Sequence, residues 1–184
     1  MKIKASAKVK ENTYEKAKKI TFLVIDIHGV LTDNTLCYTP DGIKSEKFSL
    51  RDRIGFKLLH EAGLRTAFLT SKISRADQAV SKIYGVPEEF LWGSSQKMAL
   101  TTEMQQKYGF RDEEMCYIGD EMIDLGMMRR AGFSVAPQDA SKEAREIADF
   151  VTEAKGGQGV VREVAEFILR AQGKWGEILS RFTL

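Results

Sequence analysis

Asp26 closes an apolar run at 20–27 and opens the stretch Asp26-Ile27-His28-Gly29-Val30-Leu31-Thr32-Asp33. A carboxylate in that position is aimed outward by the buried run behind it. Thr70-Ser71 ends a second run at 64–70 and offers hydroxyls to a phosphate. Lys97 follows Gly93-Ser94-Ser95-Gln96 and opens a helical pattern, a place from which an ammonium neutralises an anion. Gly119-Asp120-Glu121-Met122-Ile123-Asp124 follows a further run and puts three acids into one loop-to-helix turn. Each feature has a plainer reading alone. Thr-Ser or an acid caps a helix, acids favour a helix start, and a lysine is usually solvated. In this order, each at the end of an apolar run, they read together as a site that handles an anion.

The elements that must position these residues alternate. Strand-like stretches at 20–27, 64–70, 89–92, 115–118 and 133–136 are separated by helical patterns at 55–61, 75–84, 96–108, 122–130 and 141–148. The first run is β-branched and nearly continuous, as a strand buried on both faces reads. Strand-then-helix repetition predicts an α/β fold, a doubly wound parallel sheet. Ligands in such sheets collect at the carboxyl ends of the strands. Gly63, Gly85, Gly109 and Gly132 each follow a helical stretch, the position of a C-terminal cap.

One segment breaks the rhythm. Residues 35–48 (TLCYTPDGIKSEKF) alternate apolar and polar around Pro40-Asp41-Gly42, a β-hairpin signal between the first strand and its helix. The insertion is too small to serve as a cap domain. Residues 1–19 should hold a short helix and 161–181 a C-terminal amphipathic helix with a tail to 184, all within a single domain spanning 1–184.

Composition narrows the partners. A net charge of +2 gives no bulk attraction to nucleic acid or membrane. No stretch approaches the roughly 20 apolar residues of a membrane span. The basic, polar start has no apolar core of a secretory signal. Cys37 and Cys116 are far apart without a CxxC pairing and read as reduced thiols of a cytoplasmic protein. His60, the other histidine besides His28, reads as a surface or boundary residue of a helix.

The order Asp-x-x-Gly-Val-Leu-Thr-Asp, Thr-Ser, Lys, Gly-Asp-x-x-x-Asp resembles the haloacid dehalogenase superfamily of phosphotransferases. More narrowly the chain is similar to the capless 3-deoxy-D-manno-octulosonate 8-phosphate phosphatase family. That likeness rests on Phe48-Ser49-Leu50-Arg51-Asp52, on Tyr117-Ile118-Gly119-Asp120-Glu121-Met122-Ile123-Asp124, on Gly156-Gly157-Gln158-Gly159-Val160-Val161-Arg162-Glu163-Val164 and on Ala171-Gln172-Gly173-Lys174. The resemblance implies that Asp26 attacks a phosphoryl group and carries it as an aspartyl phosphate. It implies Mg²⁺ held by Asp26, the main-chain carbonyl of His28 and Asp120, with Asp124 or Glu121 holding its waters. Lys97 and Thr70 would share the phosphoryl charge. Ser49, Arg51, Lys57, Ser71, Lys72 and Lys97 would bind substrate, and Asp52, in the loop with Arg51, would accept hydrogen bonds from sugar hydroxyls.

Four positions depart from the family pattern. His28 stands where the family has a second aspartate, which protonates the leaving alkoxide and then deprotonates the attacking water. Losing such a group costs about 10²–10⁴ in rate, although an imidazole is itself capable of proton transfer near neutrality. The expectation is that Asp26 is phosphorylated while hydrolysis is slowed. Ser71 replaces a glycine, Arg53 replaces a glycine, and Lys72 replaces an arginine, keeping the charge but losing the fork that grips a carboxylate.

The resemblance also implies a homotetramer in which central hairpins and neighbouring chains roof each open site. Gly156–Gly159 and the tail beyond Lys174 are candidates for reaching a neighbour. Two other readings compete with a sugar acid phosphate phosphatase. One is a catalytically impaired relative serving as an oligomeric binding or scaffold protein. The other is the detached phosphatase-like domain of a sugar-acid nucleotidyltransferase.

Overall fold

A computed structural model describes residue 10, residues 12–42 and residues 44–182. The expected helix at 1–19 is present as α1 (Thr13–Lys18); residues 1–9 and 11 lie outside the described residues. It leads into β1 (Phe22–Ile25), whose residues are all buried. The hairpin follows as β2 (Cys37–Tyr38) and β3 (Lys44–Ser45), antiparallel with Cys37 opposite Ser45. Then come α2 (Leu50–Glu61), β4 (Arg65–Thr70), α3 (Arg75–Tyr84), β5 (Leu91–Gly93), α4 (Lys97–Tyr108), β6 (Met115–Ile118), α5 (Leu125–Arg130), β7 (Phe133–Ala136), α6 (Lys142–Ile147) and β8 (Phe150–Val151). Helices α7 (Val160–Ala171) and α8 (Trp175–Ser180) complete the chain.

The main sheet runs β5-β4-β1-β6-β7-β8 and all its pairings are parallel. From β1 the chain builds one half of the sheet through β4 and β5, then crosses to build the other through β6. The crevice between β1 and β6 is therefore the point at which strand order reverses, where open α/β sheets bind ligands. The period-2 alternation of β1 divides the core. Leu23 and Ile25 face the layer containing Phe56, Leu59, Val164 and Ile168, and Phe22 and Val24 face the layer of Met104, Tyr117 and Met127. The architecture is the expected α/β sheet with a small hairpin insertion and no large cap. Among the described residues no helix is long and apolar enough to cross a membrane.

Three elements differ from expectation. Helix α2 starts at Leu50 rather than at 55, because Ser49 caps it by accepting the Arg51 N–H at 3.2 Å. Its first turn exposes Leu50, Arg51 and Arg53, so apolar periodicity does not report it. The sixth strand, β8, is two residues long and too short to alternate. The C-terminal helix is two helices, since Gly173 takes φ +71° behind α7 and breaks the run.

Candidate active site

Strands β1 and β6 deliver two carboxyl groups to the crevice. The Asp26 N–H donates to the Ile118 carbonyl at 2.9 Å, extending the parallel ladder by one rung and fixing where the Asp26 side chain leaves the sheet. Asp120 emerges two residues beyond β6. Gly29, at φ +84°, carries the loop after β1 across it so closely that a methyl group there would collide with the Asp120 carboxylate. Gly156 backs this loop against the carbonyls of Gly29 and Thr32, and the Gly157 N–H donates to the Val30 carbonyl at 2.9 Å. The glycine-rich turn, expected as a candidate for reaching a neighbour, is thus packed on its own chain's site loop.

Lys97, at the start of α4, is buried and bridges two acids: its Nζ is 2.9 Å from Asp26 Oδ1 and 2.8 Å from Asp124 Oδ1. Asp124 Oδ1 also accepts from the Tyr117 hydroxyl at 2.6 Å, and Oδ2 accepts from the N–H groups of Asp120 and Glu121. Both Asp124 oxygens are thereby occupied by donors, and the residue locks the Asp120 loop in place. Tyr117 contributes a donor that the sequence gives no cue for, because within a strand it reads as core.

The charge balance is uneven. Asp26, Asp120 and Asp124 offer oxygens within 4.8 Å of one another, against the single ammonium of Lys97. Burial, then the Asp124 charge, lifts the Asp26 carboxyl to about 6 despite Lys97. Burial, then Asp26 and Asp124, lifts Asp120 to about 7. Burial alone would lower the Lys97 ammonium, but Asp26 and Asp124 outweigh it and hold it above its usual value. Crowded, desolvated oxygens that resist being charged together are the donor set a hard divalent cation relieves.

The remaining expected residues divide. Thr70 is buried at the end of β4, with Ser71 and Lys72 exposed just beyond it, and Arg51 is exposed beside Gly159. Ser49 is half-buried and serves as the cap of α2. Two of the expected substrate residues have other partners in this structure. Asp52 is not in a substrate loop: it is fully buried in the first turn of α2, and its carboxylate accepts the N–H groups of Gly159, Val161 and Arg162 at the start of α7. Lys57 lies seven residues beyond Leu50 in α2, roughly 10 Å along the axis at about 1.5 Å per residue. There it pairs with Glu61 at 3.7 Å and sits over the Phe182 ring.

His28 is half-buried, with Nε2 2.9 Å from Glu46 Oε1 behind the hairpin and 3.9 Å from Asp77 Oδ1 on α3. Neither acid was singled out in the sequence. Glu46 lies in the hairpin stretch, and Asp77 is also the capping-box partner of Ser74 at the start of α3.

An open parallel sheet with paired acids and a buried lysine at its switch point defines a hydrolase of the haloacid dehalogenase type. A family model for haloacid dehalogenase-like hydrolases matches residues 67–164. The 3-deoxy-D-manno-octulosonate 8-phosphate phosphatase of Escherichia coli K12 is 31% identical over 153 residues, covering 83% of this chain and 81% of that protein. Its counterpart in Haemophilus influenzae is 33% identical over 145 residues, covering 79% and 80%. The solved structure of the phosphatase of the same name from Moraxella catarrhalis, in complex with magnesium, phosphate and KDO, superposes with a TM-score of 0.88. It is 30% identical, covering 94% of this chain and 99% of that one. The chain belongs to the capless 3-deoxy-D-manno-octulosonate 8-phosphate phosphatase family of the haloacid dehalogenase superfamily, and it is a phosphatase by fold and kinship.

Proposed function

We propose that this chain hydrolyses a sugar acid phosphate, 3-deoxy-D-manno-octulosonate 8-phosphate, through a phosphoryl group carried on Asp26. The observation that carries the reading is the convergence of Asp26 and Asp120 from adjacent strands, with Lys97 within 2.9 Å of the Asp26 oxygen. The Asp26 oxygen attacks phosphorus, the ester P–O bond breaks, and the leaving alkoxide takes a proton. Water then attacks the phosphorus of the aspartyl phosphate, releasing inorganic phosphate and restoring the carboxylate. Lys97 lies against the nucleophile, where its ammonium offsets charge on the transferring group, and Thr70 stands at the neighbouring strand end.

Asp26, Asp120 and the main-chain carbonyl of His28 would hold Mg²⁺, with Asp124 keeping the Asp120 loop in register. When bound, the cation neutralises the phosphate so that a carboxylate can approach it. His28 replaces the family's acid/base and makes proton transfer the slow part of the cycle. Arg51, Ser71 and Lys72, exposed around the opening, are the groups available to a sugar acid's carboxylate and hydroxyls.

Large apolar side chains stand exposed on the segments that flank the strand ends: Leu36 and Tyr38 on the hairpin, Leu50 on α2, Met122 and Ile123 beside Asp120. Such exposed apolar groups suit burial by neighbouring subunits, which supports a homotetramer with shared sites. Light scattering at micromolar protein tests the assembly, and a monomer would remove the shared-site part of the reading. The activity is tested by phosphate release from sugar acid phosphates and from an aryl phosphate, with Mg²⁺ and after chelation. Mg²⁺-dependent turnover of the eight-carbon sugar acid phosphate is expected. Turnover unaffected by chelation would overturn it.

A further inference from the structure

Among the described residues, four buried side-chain atoms lack an aligned hydrogen-bond partner, and three of them meet at one place: His28 Nε2, Glu46 Oε1 and Asp77 Oδ1. They come from three separate elements, the loop after β1, the strand end after β3 and the first turn of α3. The Asp77 side chain is fully buried and that of Glu46 is 2% exposed. Their other oxygens are spoken for. Asp77 Oδ2 accepts the Ser74 N–H at 2.7 Å, and Glu46 Oε2 lies 3.2 Å from the Lys44 ammonium. Each acid therefore has one oxygen anchored and one directed at the imidazole.

Burying lone-pair atoms without donors costs free energy that something must offset. A simple ion pair would align an imidazole N–H with one carboxylate. Here Nε2 is 2.9 Å from Glu46 Oε1 without that alignment, and 3.9 Å from Asp77 Oδ1. Ligand atoms about 2.0–2.1 Å from a tetrahedral ion stand roughly 3.3 Å apart, and the two distances bracket that value. All three atoms lie within 4.8 Å of one another.

We infer that His28, Glu46 and Asp77 form a second cation site, distinct from the aspartates at the strand ends, which takes a transition-metal ion of the Zn²⁺ class. One imidazole nitrogen with two carboxylate oxygens suits Zn²⁺ better than Mg²⁺, which prefers octahedral oxygen and keeps its waters. The His28 side chain is 29% exposed, so the imidazole stands at the edge of the site nearest solvent. The replacement of an aspartate by His28 supplies the nitrogen ligand. The site does not depend on the phosphatase reading.

The chain contains two histidines, so imidazole ¹⁵N NMR resolves them without ambiguity. Zn²⁺ is titrated into the full chain in excess Mg²⁺, which occupies the strand-end aspartates. The expected result is saturation at one Zn²⁺ per chain, with the His28 ring nitrogens shifting and those of His60 unmoved. Glu46→Gln, with its fold checked by circular dichroism, should weaken Zn²⁺ by about 100-fold or more, since losing even an outer-shell partner costs about 10–100-fold. Asp120→Asn should leave Zn²⁺ binding intact. His28 resonances indifferent to Zn²⁺, or Zn²⁺ binding lost in Asp120→Asn and kept in Glu46→Gln, would overturn the site. The Asp120→Asn arm keeps this outcome separate from any failure of the phosphatase reading.

Discussion

A methyl group on Gly29 would stand 1.9 Å from Oδ2 of Asp120. The loop leaving β1 therefore runs directly over the carboxylate that β6 delivers, and the two halves of the sheet meet at that contact.

Gly29→Ala is expected to damage activity more than folding. The φ of +84° costs a non-glycine residue about 1–2 kcal/mol, visible as a lower unfolding midpoint. The Asp120 carboxylate must also move, and a displacement of about 1 Å in a catalytic site costs on the order of 10² in rate. Mg²⁺-dependent phosphatase rate and unfolding midpoint are measured side by side. A variant with the parent's rate would show that the contact between Gly29 and Asp120 does not position the site.

His28→Asp is expected to raise turnover of a sugar acid phosphate at least about tenfold, within the range that general acid–base groups supply. An aryl phosphate passes through the same aspartyl phosphate, so its turnover should rise by a similar factor. No gain on either substrate would remove His28 from the proton transfer, and a gain on the sugar acid phosphate alone would place the slow step before the aspartyl phosphate rather than at its hydrolysis.

The strand ends were legible from sequence because each acid or hydroxyl adjoins the apolar run that aims it. Asp26, Thr70 and Asp120 lie next to β1, β4 and β6 in the chain, so reading the strand also reads the residue. The partners that complete the chemistry arrive from elsewhere. Tyr117 donates to Asp124 from inside a strand, and Glu46 and Asp77 meet His28 from the hairpin and α3. Nothing local distinguishes them from a core tyrosine, a hairpin charge and a helix cap. Asp52 was misread for a related reason. Its motif looks like a loop, but its use is long-range, accepting N–H groups from the start of α7 more than a hundred residues later.

That contact gives Asp52 a pH signature. Burial lifts its carboxyl from 3.8 to about 6, although the N–H groups of Val161, Arg162 and Gly159 pull the other way. A carboxyl raised in the folded state contributes stability that is fully present below its unfolded value and lost as pH rises through the folded one. The stability of the native chain relative to Asp52→Asn should therefore decline between about pH 4 and pH 6 and stay level above about pH 7. Denaturant unfolding at a series of pH values measures this difference. A difference that grows with rising pH would mean the N–H donors outweigh burial.

The most direct measurement is the mass of the protein quenched in acid during turnover of a sugar acid phosphate with Mg²⁺. With His28 slowing the second half of the reaction, one phosphoryl group per chain should accumulate, map to the peptide containing Asp26, and be absent from Asp26→Asn. Phosphate release without any adduct, persisting in Asp26→Asn, would contradict the claim that the β1 carboxylate is the nucleophile.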